Sequence, residues 1–277
     1  MRALLAAAAV ALCGCESHIT VDLTDGPTDG VQAVVLDITH VALLTDGGGT
    51  VRLAAAGPVD LLAFRNGETF RLVGPREVSP GRYVGVALDF AAGGSFATLD
   101  DGSDVTINTP ATRTFADIDI VIEDWESERL VIDLNLRFSL VDTGAGSYDL
   151  VPVVRAEHPD LSGTLTGVVS PAIVESTACL AGRPAGTGVA VYAFEGSGVT
   201  PADYAGQAGL IAADDVEFDP SFGEYRYQLH FLPPGDYTLA LTCQADQDEP
   251  MTDDALTFEA SASTFVVGAG TVQLNFQ

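Results

Sequence analysis

Two β-sandwich domains in tandem, all-β with at most a short helix in the second, is the fold that this sequence predicts. Three observations carry that reading. Apolar residues alternate with polar ones at the two-residue period of a half-buried strand through most of the chain. Gly, Pro, Asn and Asp punctuate the alternation at turn positions. Only one segment, Thr200-Pro201-Ala202-Asp203, carries a good helix start, a capping threonine before a proline at the first helical position.

The strands follow in order. Asp46-Gly47-Gly48-Gly49 is a turn, and Asn66-Gly67, between apolar runs at 61–64 and 70–73, predicts a hairpin because both central positions tolerate positive φ. After the turn Pro80-Gly81, the residues Val84, Val86, Leu88 and Phe90 share a strand face. Ile118, Ile120 and Ile122 repeat the pattern. Residues 130–140, apolar at every even position from Leu130 to Leu140, predict one continuous half-buried strand. Beyond Pro159 the best strands are 164–169, 189–194, 225–231, 237–243, 264–267 and 271–276, with a short helix expected after Thr200. The predicted organisation is a leader over residues 1–15, a first domain over 16–158 and a second over 159–277. The break is a proline rather than a long linker, which predicts limited inter-domain motion.

The leader has its own chemistry. Arg2 precedes an apolar run too short to span a bilayer, and Leu12-Cys13-Gly14-Cys15 closes it with small residues before a cysteine. This resembles the bacterial lipobox, which implies cleavage before Cys15 and its modification with a diacylglyceryl group and a further acyl chain such as palmitate. Two or more acyl chains hold stably, at about 0.8 kcal/mol per buried methylene. The expected address is the cell envelope, lipid-anchored and extracytoplasmic, on the outer rather than the inner membrane.

Charge narrows the partners. The chain carries 39 acidic against 12 basic residues, a formal net charge of -27, and every basic residue is arginine. Such a field opposes approach to phosphates, so nucleic-acid binding is excluded as a working function. Cationic ligands and divalent metals remain compatible, and solubility alone also accounts for such a charge. Of the four cysteines, Cys13 leaves with the leader and Cys15 takes lipid. Cys179 and Cys243 remain as a pair, and an oxidising compartment makes a disulfide the default. Closing that loop stabilises the fold by about 4 kcal/mol in the chain-entropy model. Cys243 shares a face with Tyr237, Leu239 and Leu241, which points it into the core.

Several motifs of the first half occur in an order that resembles the bacterial domain-of-unknown-function family 4382. They are TVDLTDGPTDGVQAVVLDITHVAL, GPVDLLAFRNG, VSPGRYVGVALDF and LVIDLNLRFSLVDTGAGSYDLVPVVRAE, and they cover about residues 19–158. The resemblance implies a secreted or lipid-anchored β-sandwich without an assigned activity. FLPPGDYTLALT and VVGAGTVQLNF make the second half similar to carboxypeptidase-regulatory or transthyretin-like sandwiches, which implies a spacer, stalk or binding module. Cys179 and Cys243 are additions to that generic module.

Catalytic signatures are sparse. There is no GxSxG elbow, HExxH or phosphate-binding loop. His18 is expected in the tether, His40 and His230 in strands and His158 at the boundary, each as a surface or structural side chain. Acid clusters are more suggestive. Asp246, Asp248, Asp253 and Asp254, with Glu249, crowd the loop after Cys243 and are candidate calcium ligands, although their spacing is not that of an EF-hand. Asp22, Asp25 and Asp29 form a second group and Asp100, Asp101 and Asp104 a third; solvated turns account for all three. Trp125, between Asp124 and Glu126, is expected to anchor the core or a loop, the alternative being an exposed ring that stacks on a sugar. The function expected is therefore non-enzymatic: a lipid-anchored envelope protein that displays two sandwiches to an envelope protein or glycan. The rival functions are a calcium-dependent binding module and an envelope glycan hydrolase, the latter requiring two carboxylates across a groove.

Overall fold

The structure is a computed structural model that describes residues 16–26, 28–205 and 209–277, so Cys15 lies outside the described residues. It is all-β, with several sheets packed as sandwiches. In the N-terminal half the strands are β1 (Ser17–Gly26), β2 (Val31–Thr45), β3 (Thr50–Asp60), β4 (Phe70–Val78), β5 (Gly81–Phe90) and β6 (Phe96–Leu99). They continue with β7 (Asp104–Asn108), β8 (Arg113–Ile122), β9 (Ser127–Asn135), β10 (Leu140–Asp142), β11 (Ser147–Leu150) and β12 (Val154–Glu157). One sheet runs β12-β9-β1-β4; the other runs β10-β11-β7-β6-β2-β5-β8, with β3 also on β2. Ile19, Val21, Leu23, Leu36, Ile38, Leu43 and Leu134 are among the side chains that fill the core between them. β1 pairs in parallel with β9, so His18 is already inside a strand and not in a tether.

Two expected strands are interrupted for local reasons. The apolar run at 61–64 is a 3₁₀ turn, Leu61–Ala63, capped by Asp60, whose carboxylate accepts the Leu62 N–H. Asn66 and Gly67 do take positive φ, 55° and 83°, but they follow that turn rather than a strand. The predicted strand over 130–140 breaks at Asn135. The Asn135 side chain accepts the Phe138 N–H at 3.3 Å and caps one helical turn, α1 (Leu136–Ser139), before β10 begins. Asparagine competes with the ladder for backbone donors, and the alternation on either side conceals this.

The C-terminal half comprises β13 (Gly163–Val169), β14 (Ala190–Glu195), β15 (Leu210–Asp215), β16 (Glu217–Asp219), β17 (Glu224–Leu232), β18 (Gly235–Thr242), β19 (Phe258–Val266) and β20 (Thr271–Gln273). They form two four-stranded sheets, β16-β17-β13-β20 and β15-β14-β18-β19. No helix follows Thr200 within the described residues; the helical turns of this half are α2 (Pro171–Val174) and α3 (Thr177–Leu180). α3 carries Cys179 into the core, where it is disulfide-bonded to Cys243 with Cα atoms 4.9 Å apart.

The two halves are bolted together. α1 projects Arg137, 4% exposed, across the junction. Its Nη1 donates to Asp29 Oδ2 at 2.7 Å and to the Ala245 carbonyl at 2.9 Å, and its Nη2 donates to Asp215. Beside it Phe138 stacks on Tyr204, with centroids 4.4 Å apart and planes 8° from parallel, and meets Tyr192 edge-on. Arg155 of β12 adds a second bolt, donating to Asp133 and to the carbonyls of His230 and Phe231. Gly67 lies against the His230 ring, where a Cβ would come within 2.8 Å. Removing one partner of a buried ion pair typically costs about 3–5 kcal/mol. Arg137→Ala is accordingly expected to lower stability by about that amount and to split urea unfolding into two transitions. Arg82→Ala, which breaks an exposed pair with Asp119, should leave a single transition at an unchanged midpoint.

Candidate binding site between the two halves

The junction encloses a cavity of about 310 Å³. β9 and β12 contribute Asp133, Arg155 and Glu157; β14 and β18 contribute Glu195, Asp236 and Tyr237; Val154, Leu210, Ile211 and Pro233 give it apolar walls. The one guanidinium in the lining is committed to Asp133 and two carbonyls. Burial raises the pKa of Glu157, with Arg155 opposing and Asp133 adding to the rise. Tyr237 donates to the Pro233 carbonyl at 2.8 Å, and burial pushes its hydroxyl up to about 12, so it stays a neutral donor. The walls thus offer acids and apolar surface, a lining suited to a cationic group on an apolar stem.

Behind the cavity the junction holds further acids. Asp25 accepts the Leu136 N–H at 3.0 Å through Oδ1, while its Oδ2 has no hydrogen-bond partner. Burial raises it well above the ordinary carboxyl range, against the pull of Leu136, and Asp133 adds to the rise. Asp214 is raised by burial too, although it accepts the Gln228 N–H at 2.6 Å. Burial lifts Asp215 to about 6 despite Arg137. His230 is pushed down by burial and stays neutral, held by Thr164 and Gln228.

The predicted calcium ligands are only partly brought together. Asp246 turns away to pair with Arg183, and Asp253 is exposed. Asp248 and Asp254 converge instead with Asp203, and one carboxylate oxygen from each lies within 4.8 Å of the others. Asp248 accepts the Tyr192 hydroxyl at 2.6 Å and the Tyr204 N–H at 3.3 Å, and Asp203 accepts the Asp254 N–H at 2.8 Å. In sequence Asp203 belongs to a helix start; folded, it reaches a loop some fifty residues away. The other two acid groups are structural. Asp22 takes Arg71 and Arg129, Asp29 takes Arg137, and Asp101 closes its turn on Ser103.

Trp125 is not a core residue: it is 63% exposed, at a positive φ of 71°. Its backbone is anchored, with its N–H donating to Ser17 Oγ at 3.1 Å. The other histidines sit in structural contacts, His40 beside Arg52 and His158 on Glu128 at 2.7 Å.

Fold and site together define an all-β protein of two joined sandwiches with an acidic cleft at the junction. Residues 16–152 match the family described as "Domain of unknown function (DUF4382)". No curated protein sequence matches the chain. Among solved structures the chain is similar to a candidate adhesin from Bacteroides ovatus, at 12% identity over 99% of this chain and 95% of that one, with a TM-score of 0.23. It is also similar to the fimbrial anchor protein Mfa2 from Porphyromonas gingivalis, at 10% identity over 85% and 82%, TM-score 0.20. The minor pilin GBS52 of Streptococcus agalactiae gives 13% identity over 93% and 94%, TM-score 0.20.

The junction acids set a pH dependence. A carboxyl whose folded pKa is raised binds its proton more tightly when folded, so its ionisation destabilises the fold as pH rises above 3.8, through about 6 for Asp215. His230, lowered on folding, works in the opposite sense below 6.5, so single-site differences isolate each group. Asp25→Asn keeps an acceptor for Leu136 and removes the titration. It is expected to be more stable than the parent at neutral pH and to lose that advantage as pH falls toward 4, in thermal melts followed by circular dichroism. A stability difference independent of pH contradicts this.

Proposed function

We propose that the protein is a lipid-anchored, non-catalytic binding protein of the cell envelope, held to the membrane through Cys15, on the outer rather than the inner membrane. Its C-terminal half serves as a transthyretin-like or carboxypeptidase-regulatory-like module against the DUF4382 domain, with the division at residues 158 and 159. The observation that carries this is the junction itself: Arg137 and Arg155 lock the halves in one orientation and shape an acidic, partly apolar cavity from both. A site made by two rigidly held modules suits recognition, since little ordering has to be paid for on binding. The partner it fits is an envelope protein that presents a lysine or arginine side chain, because acids line the cavity and its one arginine is already committed.

Crosslinking in cells, with the co-purifying protein identified by mass spectrometry, tests this reading. The parent chain is expected to capture one recurrent protein. Glu157→Gln with Glu195→Gln should lose it without a fall in melting temperature, and added salt should weaken it. Release of reducing sugar from envelope glycan by the purified chain, abolished by the same pair, would move the assignment to a glycan hydrolase.

A second reading, calcium-dependent binding, is favoured by the convergence of Asp203, Asp248 and Asp254. Three carboxylates that close repel one another unless they share a proton or a cation, and burial together with Asp203 raises the pKa of Asp248. If a cation balances them, calcium, but not magnesium-free salt of equal ionic strength, raises the melting temperature. Asp203→Asn with Asp254→Asn then abolishes the rise, while Asp246→Asn, at the residue paired with Arg183, leaves it intact.

A further inference from the structure

The strongest feature outside the junction is at the opposite end of β1. Ser17 opens that strand and is fully buried. Its Oγ donates to the Glu123 carbonyl at 2.7 Å and accepts the Trp125 N–H at 3.1 Å, and the His18 N–H donates to the Glu126 carbonyl at 2.8 Å. The β8–β9 turn is therefore stapled to the start of the first strand. Cys15 precedes Ser17 by two residues, which limits the distance between their Cα atoms to about 7 Å. At the same end, Ser17 pairs with Val78, placing the Ser79-Pro80 turn beside it. The contact of β1 with the C-terminal half lies nine residues along, at Gly26, about 30 Å away for an extended strand.

Trp125 is the chain's single tryptophan, and the turn holds it outward. The left-handed backbone is disfavoured for a bulky residue, and the hydrogen bonds of Ser17 and His18 maintain it. Val121, on the strand leading into the turn, is exposed as well. An exposed indole close to an acyl anchor belongs at the membrane–water interface, where its ring meets apolar chains and its N–H stays wet. Glu123, Asp124 and Glu126 are exposed around it. Their charges keep the ring at headgroup depth and oppose anionic lipids, whereas ammonium headgroups satisfy the carboxylates and the indole face together.

We propose that this end of the DUF4382 domain sits on the bilayer and that Trp125 enters the headgroup layer of a zwitterionic membrane surface, an inference that rests on acylation of Cys15. The single tryptophan makes the test direct. The natively processed chain is reconstituted in phosphatidylcholine and phosphatidylethanolamine vesicles, with and without lipids brominated near the headgroup. Its intact mass reports the acyl groups separately. The expected result is a blue shift of the emission on reconstitution and a loss of intensity with brominated lipid, both weakened when phosphatidylglycerol replaces the zwitterionic lipid. Phe222→Trp in a Trp125→Phe background moves the probe to an exposed turn of the C-terminal half and is expected to show neither change. An acylated chain whose emission matches that of the lipid-free Cys15→Ser variant overturns the inference and leaves the anchor standing. A mature chain without acyl mass overturns the anchor and the inference with it. A soluble glycan that shifts the emission of Cys15→Ser would assign the ring to sugar and overturn the membrane role.

Discussion

The guanidinium of Arg137 is the contact on which the arrangement of the two halves depends. It is supplied by one half, satisfied by Asp215 and the Ala245 carbonyl of the other, and steadied by Asp29 of its own. Buried ion pairs add little net stability, because desolvation offsets most of the attraction. What this one supplies is orientation. The planar guanidinium meets its acceptors only when the two sandwiches sit in one register, and the Phe138–Tyr204 stack beside it shares that requirement. The cavity follows from the same constraint, since its two walls come from different halves.

Arginine supply explains much of the rest. With 39 acidic residues and 12 basic ones, the chain uses its guanidiniums as structural cross-links. Asp22 on β1 binds Arg71 and Arg129 of its two neighbours, β4 and β9, and Asp89 on β5 binds Arg113 of the adjacent β8 and Arg52 of β3, across β2. Arg183 holds the loop after the disulfide through Asp246 and the Cys243 carbonyl. Arginine suits this task because its fork makes two bonds in a fixed plane where lysine makes a point contact. Once these pairs are formed, the remaining surface is strongly acidic. The sign of the partner is thus a by-product of how the fold is held.

Much of the fold was legible because alternation is a direct imprint of a sheet with one wet face. β5, β8, β13, β17 and β18 were visible for that reason, as was the inward face of Cys243. The errors came where a side chain competes with the backbone ladder. Asn135 ends a run of perfect alternation by capping α1, and Asp60 turns an apolar strand signal into a 3₁₀ turn. Thr200-Pro201 has the chemistry of a helix start, but the burial of Asp203 against the Asp254 N–H draws that segment to the loop instead. β15 is not legible because Ala212, Ala213, Asp214 and Asp215 carry no alternation; it is ordered by its neighbours.

The site was less legible than the fold, and for a physical reason. Local sequence shows which acids are close along the chain, whereas a site requires acids that are close in space. Asp246 and Asp253 share a loop with Asp248 and Asp254 yet face elsewhere, while Asp203 arrives from another segment. The lining of the junction cavity is more dispersed still, drawn from β9, β12, β14 and β18, and no window of sequence contains it. Arg137 looked like the polar face of a strand until Asn135 rotated it into the junction. Trp125 follows the same rule. Its exposure depends on a positive φ in its own turn and on a bond to Ser17, 108 residues away along the chain, so composition alone, in which a lone tryptophan is expected to be buried, does not show it.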